Sequence, residues 1–199
     1  MNKPIYVGVT GSFAVGKTFI LQYFLKKQFP VFSSDVFIRR LYKKSRIKKH
    51  IMTLLPELKY FSKRKIANII YEDDQSRKKI ENFIHPLLEQ GIKRFYERNS
   101  RKDILFAEVP LLLEVNFQHL FDYVVTIFCE EKIRFDRGVI KRCVTQGIYD
   151  KISNIQMPQE EKIKHSDLSI NSGVSMIELA NQIECLLQNL RQLHERNYT

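Results

Sequence analysis

Long apolar runs and paired cysteines are both lacking in this chain, and each lack excludes a class of protein. Of the 199 residues 44% are hydrophobic, yet no apolar stretch approaches the roughly 18 to 20 residues that a membrane-spanning helix needs. The three cysteines are an odd number, widely spaced and without a CxxC pair, which argues against a disulfide framework or a zinc site. The first residues lead directly into an apolar strand pattern, so we expect no secretory signal and a cytoplasmic protein.

Acidic residues are also in short supply relative to basic ones. The chain has 33 Lys and Arg against 22 Asp and Glu, a formal net charge of +11. Such a balance suits a polyanionic partner, such as nucleic acid, an acidic membrane surface or a phosphorylated small molecule. From Arg39 to Lys49 there are seven basic residues and no acidic one. This segment is either an ordinary solvated helix face or a surface that holds an anion, and the sequence leaves both open.

Glycine is scarce, and what there is of it is concentrated near the beginning of the chain. Only seven glycines occur, and three of them are Gly8, Gly11 and Gly16. Because glycine adopts positive φ and admits close neighbours without steric cost, this concentration predicts an unusual backbone or the close approach of a ligand.

Residues 11–18 satisfy the pattern G-x-x-x-x-G-K-[ST], and we call them the phosphate loop. Backbone N–H groups of such a loop surround phosphate, and the dipole of the helix that follows favours anionic oxygens. We expect Lys17, as an exposed cation, to reach the β- and γ-phosphates and the Thr18 hydroxyl to ligate Mg²⁺. The residues predicted to bind ATP here are Gly11, Ser12, Phe13, Ala14, Val15, Gly16, Lys17, Thr18 and the following Phe19.

Strand and helix patterns alternate along the chain and predict an α/β fold. We expect strands at 5–9, 29–32, 104–107, 123–128 and 168–170, a helix over 17–27 and a closing amphipathic helix over 178–190. Residues from about 36 to 100 have a helical pattern and contain no strand. This order predicts a parallel sheet with a helical insertion between the second and third strands.

Charged residues after these strands are candidates for chemistry. Asp35 follows the second strand, where it could accept a proton from an attacking hydroxyl, help to hold magnesium, or simply cap the next helix. Glu108 ends the third strand and is placed to reach magnesium through water. Arg137 and Lys141 share one face of a predicted helix that also carries Arg142. That face either covers the triphosphate or is solvated.

Taken together, these residues resemble the dephospho-coenzyme A kinase family over nearly the whole chain. The matching blocks, in order, are residues 7–18, 33–39, 64–71, 80–86, 110–114 and the tail blocks 156–162 and 166–173. The pair His85–Pro86 and the block Pro110–Glu114 distinguish this family from other small P-loop kinases. On its residues alone, His85–Pro86 also fits the start of a helix with proline in its first turn.

The resemblance implies a P-loop kinase fold, with a five-stranded parallel sheet flanked by helices. Residues 1–35 and 101–199 would form the core, 36–100 a helical subdomain for the acceptor, and about 130–160 a lid. The reaction would transfer the γ-phosphoryl group of ATP to the ribose 3′-hydroxyl of dephospho-coenzyme A with Mg²⁺.

The resemblance also implies roles for individual residues. Lys17, Asp35 and Arg137 would be catalytic, with Asp35 as general base, and Lys141 or Arg142 would help Arg137 to hold ATP. Thr18 would ligate Mg²⁺, and Glu108 would reach it through water. The residues that would contact the acceptor are Asp35, Arg39, His85, Pro110, Leu111 and Glu114.

Some residues depart from the family pattern and keep other functions open. Ser12, Ala14 and Val15 stand where the family has Gly, Gly and Ser, and Ser33 stands where it has an aspartate. The alternatives are a degenerate relative that binds coenzyme A with little turnover, a kinase of another nucleotide or nucleoside, and a basic P-loop protein that binds nucleic acid. We favour a monomeric kinase of small molecules that binds neither membrane nor nucleic acid.

Overall fold

A five-stranded sheet forms the centre of the protein in the computed structural model, which describes residues 3–196. Met1, Asn2 and residues 197–199, which the predicted core segments include, lie outside the described residues. The strands are β1 (Ile5–Thr10), β2 (Val31–Ser33), β3 (Ile104–Glu108), β4 (Tyr123–Phe128) and β5 (Leu168–Asn171), in the spatial order β2-β3-β1-β4-β5. The predicted fold class and the five predicted strands are therefore confirmed.

Nine α-helices surround this sheet or form the insertion within the described residues. They are α1 (Lys17–Lys26), α2 (Ser34–Leu41), α3 (Ser45–Leu54), α4 (Lys63–Glu72), α5 (Asp74–Arg98), α6 (Glu131–Phe135), α7 (Gln146–Ile155), α8 (Gln159–Lys164) and α9 (Met176–Arg196). A short 3₁₀ helix (Phe117–Leu120) and a π-helix (Asp136–Lys141) complete the list. In the part of the chain that the structure describes, no helix is long and apolar enough to cross a membrane.

The central strand β1 determines where the phosphate loop lies. It is parallel to both neighbours, with Val9 opposite Glu108 in β3 and Thr10 opposite Thr126 in β4. Its core side chains are wholly buried, as expected of a strand with neighbours on both sides and helices on both faces. The phosphate loop therefore begins at the carboxyl-end edge of the sheet, where parallel α/β sheets bind ligands.

The chain divides into two compact units, each with its own apolar core. One unit runs to Phe32 and resumes at Phe95, and the other, the helical unit, spans Ser33–Arg94. The core of the helical unit consists of Leu41, Ile47, Ile51, Leu55, Leu58, Ile66, Ile80 and Ile84. This cluster gives the helical unit an apolar core of its own.

One prediction about the helical unit is wrong. His85–Pro86 does not begin a helix, because both residues lie in the interior of the 25-residue helix α5. A proline inside a helix removes a backbone hydrogen bond and crowds the preceding turn. The neighbouring Ile84 and Leu88 are buried, and the packing of this apolar face offsets that cost.

Gly8 has a packing role and does not need a ligand to explain it. A Cβ atom at Gly8 would lie 2.6 Å from Cδ1 of Leu112 and 2.9 Å from the ring of Phe121. By contrast, Gly11 and Gly16 have φ angles of 140° and 95°, which L-residues rarely adopt. The predicted unusual backbone is thus confirmed at Gly11 and Gly16, whereas the close neighbours of Gly8 are side chains of the protein and not a ligand.

Candidate active site

The phosphate loop has a backbone conformation suited to binding an anion. Gly16, at φ 95°, is the N-cap of α1, and its left-handed conformation aims the loop into the helix. A Cβ atom at Gly11 would lie 2.3 Å from the carbonyl oxygen of Ile127, so only glycine fits there. Successive N–H groups in such a turn, at a helix N-terminus, form a concave anion site.

Ala14 shows how the loop accommodates a residue that departs from the family pattern. Its φ angle is 65°, in the left-handed region that costs an L-residue about 1–2 kcal/mol relative to glycine. The loop therefore has a left-handed backbone at this position and bears the strain of a methyl group.

Lys17 is buried, which corrects the expectation of an exposed cation. Only 9% of its surface is accessible, and its ammonium group donates to the carbonyl oxygens of Gly11 at 2.7 Å and Ser12 at 2.9 Å. These bonds curl the loop around its own lysine. The ammonium group therefore shapes the loop and places a positive charge within it.

The structure brings Arg137 to the phosphate loop. Its Nη1 donates to the carbonyl oxygen of Val15 at 3.3 Å and to the hydroxyl of Ser172 at 3.0 Å. Its Nη2 donates to the carbonyl oxygen of Ser172 at 2.8 Å. A Cβ atom at Gly16 would lie 3.3 Å from Arg137 Nη1, so the guanidinium packs directly on the loop.

The prediction that one regular helix carries Arg137, Lys141 and Arg142 is wrong. Helix α6 ends at Phe135, the next six residues form the π-helix, and Arg142 follows it. Within the π-helix, a Cβ atom at Gly138 would lie 2.8 Å from the Tyr149 ring. The π-helix therefore packs closely against this aromatic side chain. Single π-type turns of this kind are frequent at functional sites.

Phe13 of the phosphate loop is a second point of contact between the loop and residues 130–160, the segment predicted to form a lid. The Arg142 guanidinium carbon lies 5.1 Å from the Phe13 ring centroid, and the Tyr149 ring packs against Phe13 edge-on at 6.3 Å. The backbone N–H of Phe13 donates to Oε1 of Gln156 at 2.7 Å. Lys141 is exposed. Three lid side chains thus converge on one residue of the loop.

Thr18 and Glu108 provide oxygen donors of the kind that Mg²⁺ prefers. Thr18 is exposed in the first turn of α1. Glu108 is the last residue of β3, 4% exposed, and lies opposite Val9 just before the loop begins. A hydroxyl and a carboxylate fit a hard cation that retains several waters.

Glu114 is held in a buried ion pair with Lys162. The Lys162 ammonium group lies 2.8 Å from the Glu114 carboxylate and also donates to the carbonyl oxygen of Pro110 at 2.8 Å. Burial lowers the pKa of Lys162, and the neighbouring carboxylate opposes that shift. The backbone N–H of Met157 also donates to Glu114, at 2.9 Å. Contact of Pro110, Leu111 and Glu114 with the acceptor stays a prediction.

In the helical unit, Asp35 lies in the first turn of α2, one residue past the start of the helix. The N-cap is Ser33, so the interpretation of Asp35 as a helix cap is wrong. The Asp35 side chain is exposed, and its charge adds to burial in raising the pKa of the Tyr71 phenol. An exposed carboxylate at this position remains available to an acceptor hydroxyl.

Arg39 and His85 occupy different environments in the same unit. Arg39 is exposed in the last turn of α2. His85 is half-buried, and that burial lowers its pKa, so the imidazole is neutral at pH 7.

Sequence reasoning gave no role to Gln156, Lys162 or Ser172. All three lie in the tail blocks that match the family pattern, and that match was the only sequence feature that could have marked them as functional candidates. Their contacts join residues far apart along the chain: 143 positions separate Phe13 from Gln156, and 35 separate Arg137 from Ser172.

Comparison with solved structures supports the fold. TT1252 from Thermus thermophilus superposes with a TM-score of 0.83 at 21% identity, covering 94% of this chain and 98% of that one. Dephospho-CoA kinase from Campylobacter jejuni has a TM-score of 0.65 at 20% identity, covering 96% and 98%. Shikimate kinase from Bacteroides thetaiotaomicron has a TM-score of 0.57 at 13% identity, covering 94% and 98%. These similarities establish the P-loop kinase fold.

Comparison of sequences establishes the family. The family model CoaE, dephospho-CoA kinase, matches residues 5–178. The dephospho-CoA kinase of Rickettsia typhi is 47% identical over 184 residues, which cover 92% of this chain and 96% of the relative. That of Rickettsia prowazekii is 46% identical with the same coverage. With its phosphate loop, its lid arginine and this extent of match, the chain belongs to the dephospho-CoA kinase family.

Proposed function

We propose that this protein transfers the γ-phosphoryl group of ATP to the ribose 3′-hydroxyl of dephospho-coenzyme A, giving coenzyme A and ADP. The observation that carries the proposal is the phosphate loop, curled around Lys17 and contacted by Arg137, in a chain of this family. In-line phosphoryl transfer needs positioned reactants and neutralised charge more than covalent help from the protein. The loop and its two cations are suited to those tasks.

Arg137 is proposed to hold the phosphates of ATP while it remains anchored to the loop. A guanidinium has five N–H donors, and three hydrogen bonds from Arg137 go to Val15 and Ser172. The Nε–H and the second Nη2 N–H have no hydrogen-bond partner among residues 3–196. Those two donors would bind phosphate oxygens without release of the anchoring bonds. Lys141 and Arg142 add positive charge from the same lid segment.

Mg²⁺ is proposed to be held by Thr18 directly and by Glu108 through water. When bound, the ion would neutralise negative charge that develops during transfer. The contribution of the chain is to present the Thr18 hydroxyl beside the loop amides and a carboxylate at the end of the neighbouring strand.

The helical unit is proposed to bind the acceptor. Asp35 would accept the proton of the 3′-hydroxyl as it attacks, and its exposed carboxylate suits that role. Arg39 would contact an anionic group of the acceptor, and neutral His85 would provide a hydrogen-bonding group. Pro110 and Leu111, which are half-buried, would contribute an apolar contact, and Glu114 would orient that segment.

A coupled assay of ADP release tests the proposal. Dephospho-coenzyme A should give saturable turnover, and the product should carry a new 3′-phosphate by mass spectrometry. Adenosine and other nucleosides, at equal concentration, serve as the control acceptors. Turnover that is equal or faster with a nucleoside would identify a kinase of another substrate.

A degenerate relative that binds coenzyme A without turnover is the second candidate, and the strained Ala14 is the observation that favours it. Calorimetry with dephospho-coenzyme A, run beside the turnover assay, separates the two. Tight binding with no ADP release would support the second candidate over the first.

A further inference from the structure

We propose that Ser172 is a positioning residue for the nucleotide, which acts by fixing the Val15–Gly16 peptide of the phosphate loop and by holding Arg137 beside it. The inference deepens the proposed function, and its catalytic consequence rests on that function. It assigns a role to the tail block 166–173, which neither the phosphate loop nor the lid explains.

Ser172 is itself rigidly placed. It directly follows β5, its backbone N–H donates to the carbonyl oxygen of Phe128 at 2.8 Å, and it is 4% exposed. Its hydroxyl donates to the carbonyl oxygen of Val15 and accepts from Arg137 Nη1 at 3.0 Å. The sheet therefore fixes the backbone of Ser172, while the side chain reaches the loop.

The orientation of one peptide group follows from these bonds. The peptide bonds of the described chain are all trans, so the C=O of Val15 and the N–H of Gly16 point in opposite directions from one rigid plane. Ser172 and Arg137 hold the carbonyl on one side. The Gly16 N–H is therefore directed to the other side, toward the concave surface where the loop amides converge at the start of α1.

This peptide needs an external anchor because it precedes a glycine. Gly16 has no Cβ atom to restrict rotation of the plane, and its φ of 95° lies in a region open to glycine. A Cβ atom at Gly16 would lie 3.3 Å from Arg137 Nη1 and 3.4 Å from Ser172 Oγ. The anchoring groups thus pack against the same face that glycine leaves open.

Ser166 provides a matched control for a purely structural serine. Its hydroxyl donates to the carbonyl oxygen of Lys162 at 2.7 Å and lies 2.6 Å from the Thr126 hydroxyl. It precedes β5, at the strand end opposite to Ser172. Loss of either hydroxyl removes at least two hydrogen bonds, but only that of Ser172 bonds to the phosphate loop.

The test measures ADP affinity by calorimetry with the full chain in magnesium buffer, together with thermal melting. Ser172→Ala should weaken ADP binding about fivefold to tenfold, the loss expected for one or two hydrogen bonds. Ser172→Thr, which retains the hydroxyl, should recover most of the affinity. Ser166→Ala should lower the melting temperature and leave ADP affinity within about twofold of the native value.

Two further variants test the proposal if Ser172→Ala alone does not decide it. Ser172→Cys fills the same space with a weaker donor and should also bind ADP more weakly than the native protein. It provides the test if Ser172→Ala is poorly folded. In an Arg137→Ala background, Ser172→Ala should still weaken ADP binding, because the peptide then loses its remaining anchor.

Native ADP affinity in both Ser172→Ala and Ser172→Cys would overturn the proposal, since the hydroxyl would then serve packing alone. If Ser172→Ala caused no further loss of ADP affinity in the Arg137→Ala background, the role of the Val15–Gly16 peptide would be overturned. ADP binding needs no acceptor, so absence of turnover with dephospho-coenzyme A would count against the proposed function and leave this result intact.

Discussion

The two units of the molecule differ sharply in net charge, and the more positive unit is not the one that contains the phosphate loop. Residues 33–94 contain sixteen Lys and Arg against seven Asp and Glu, whereas the rest of the chain contains seventeen against fifteen. Yet the phosphate loop lies in the nearly neutral unit. The candidate anion site there consists of backbone N–H groups, a helix N-terminus and the side chains of Lys17 and Arg137. Local geometry, rather than charge density, identifies the nucleotide site.

The excess positive charge belongs to the helical unit, which does not contain the phosphate loop. The run from Arg39 to Lys49 spans the end of α2, the turn that follows and the start of α3, and it is largely exposed. We therefore expect substitutions in the phosphate loop to act on the nucleotide and substitutions in the helical unit to act on the acceptor. Two variants, Lys17→Ala and Asp35→Asn, test that division, and two more, Glu114→Ala and Ala14→Gly, test the packing that supports the nucleotide-binding unit; they follow in order of decreasing effect.

Lys17→Ala should abolish measurable turnover, because it removes one of the two cations at the nucleotide site and two hydrogen bonds that shape the loop. We expect a loss of several kcal/mol in transition-state stabilisation. ADP release and thermal melting are measured together, since the buried side chain also supports the loop, and a modest decrease in melting temperature is expected. A variant that kept more than about a tenth of the native rate would contradict the role.

Asp35→Asn should lower kcat by roughly two to four orders of magnitude, the span usual for loss of a general base. The amide has nearly the same shape, so the KM for dephospho-coenzyme A should change little. Titration of kcat against Mg²⁺ provides the control, because partial rescue at high Mg²⁺ would indicate a metal ligand instead. An unchanged kcat would remove Asp35 from the chemistry.

Glu114→Ala should destabilise the fold by about 3–5 kcal/mol, because it leaves the buried Lys162 cation without its partner. Chemical denaturation measures the free energy of unfolding. The double variant Glu114→Ala with Lys162→Met is the control and should recover part of the loss. Native stability combined with a raised KM for dephospho-coenzyme A would instead show that Glu114 serves the acceptor.

Ala14→Gly should raise stability by about 0.5–1 kcal/mol, because glycine adopts the left-handed backbone without steric strain. The gain is smaller than the strain itself, since glycine also makes the unfolded chain more flexible. Gly147→Ala, at a glycine with no atom within 4 Å of the added methyl group, is the matched control. A loss of stability in Ala14→Gly would mean that the methyl group packs favourably.

The elements that the sequence predicted well are those defined by neighbouring residues. The phosphate loop is a consecutive pattern, and the strands are short apolar runs bounded by charge, so both can be identified without tertiary information. The π-helix and the continuation of α5 through Pro86 could not be identified in this way. Both depend on packing, of Gly138 against Tyr149 in one case and of buried residues around the proline in the other.

The site was predictable only in part, for a similar reason. Arg137 was a candidate because it belongs to a basic face, but its anchors, Val15 and Ser172, lie 122 and 35 positions away. The burial of Lys17 was missed because its partners are backbone carbonyl groups, which no side-chain pattern reveals. Sequence patterns identify which residues carry charge, whereas tertiary contacts decide how each charge is used.

The burial of Lys162 has a consequence for chemical labelling of the protein. Its side chain is wholly inaccessible, whereas most lysines of the chain are exposed. An amine-reactive reagent must therefore wait for α8 to separate from the segment around Pro110 and Glu114 before it can modify this residue. The labelling rate of Lys162, read by peptide mass spectrometry against the exposed Lys164 two positions away, reports how often that part of the native protein opens.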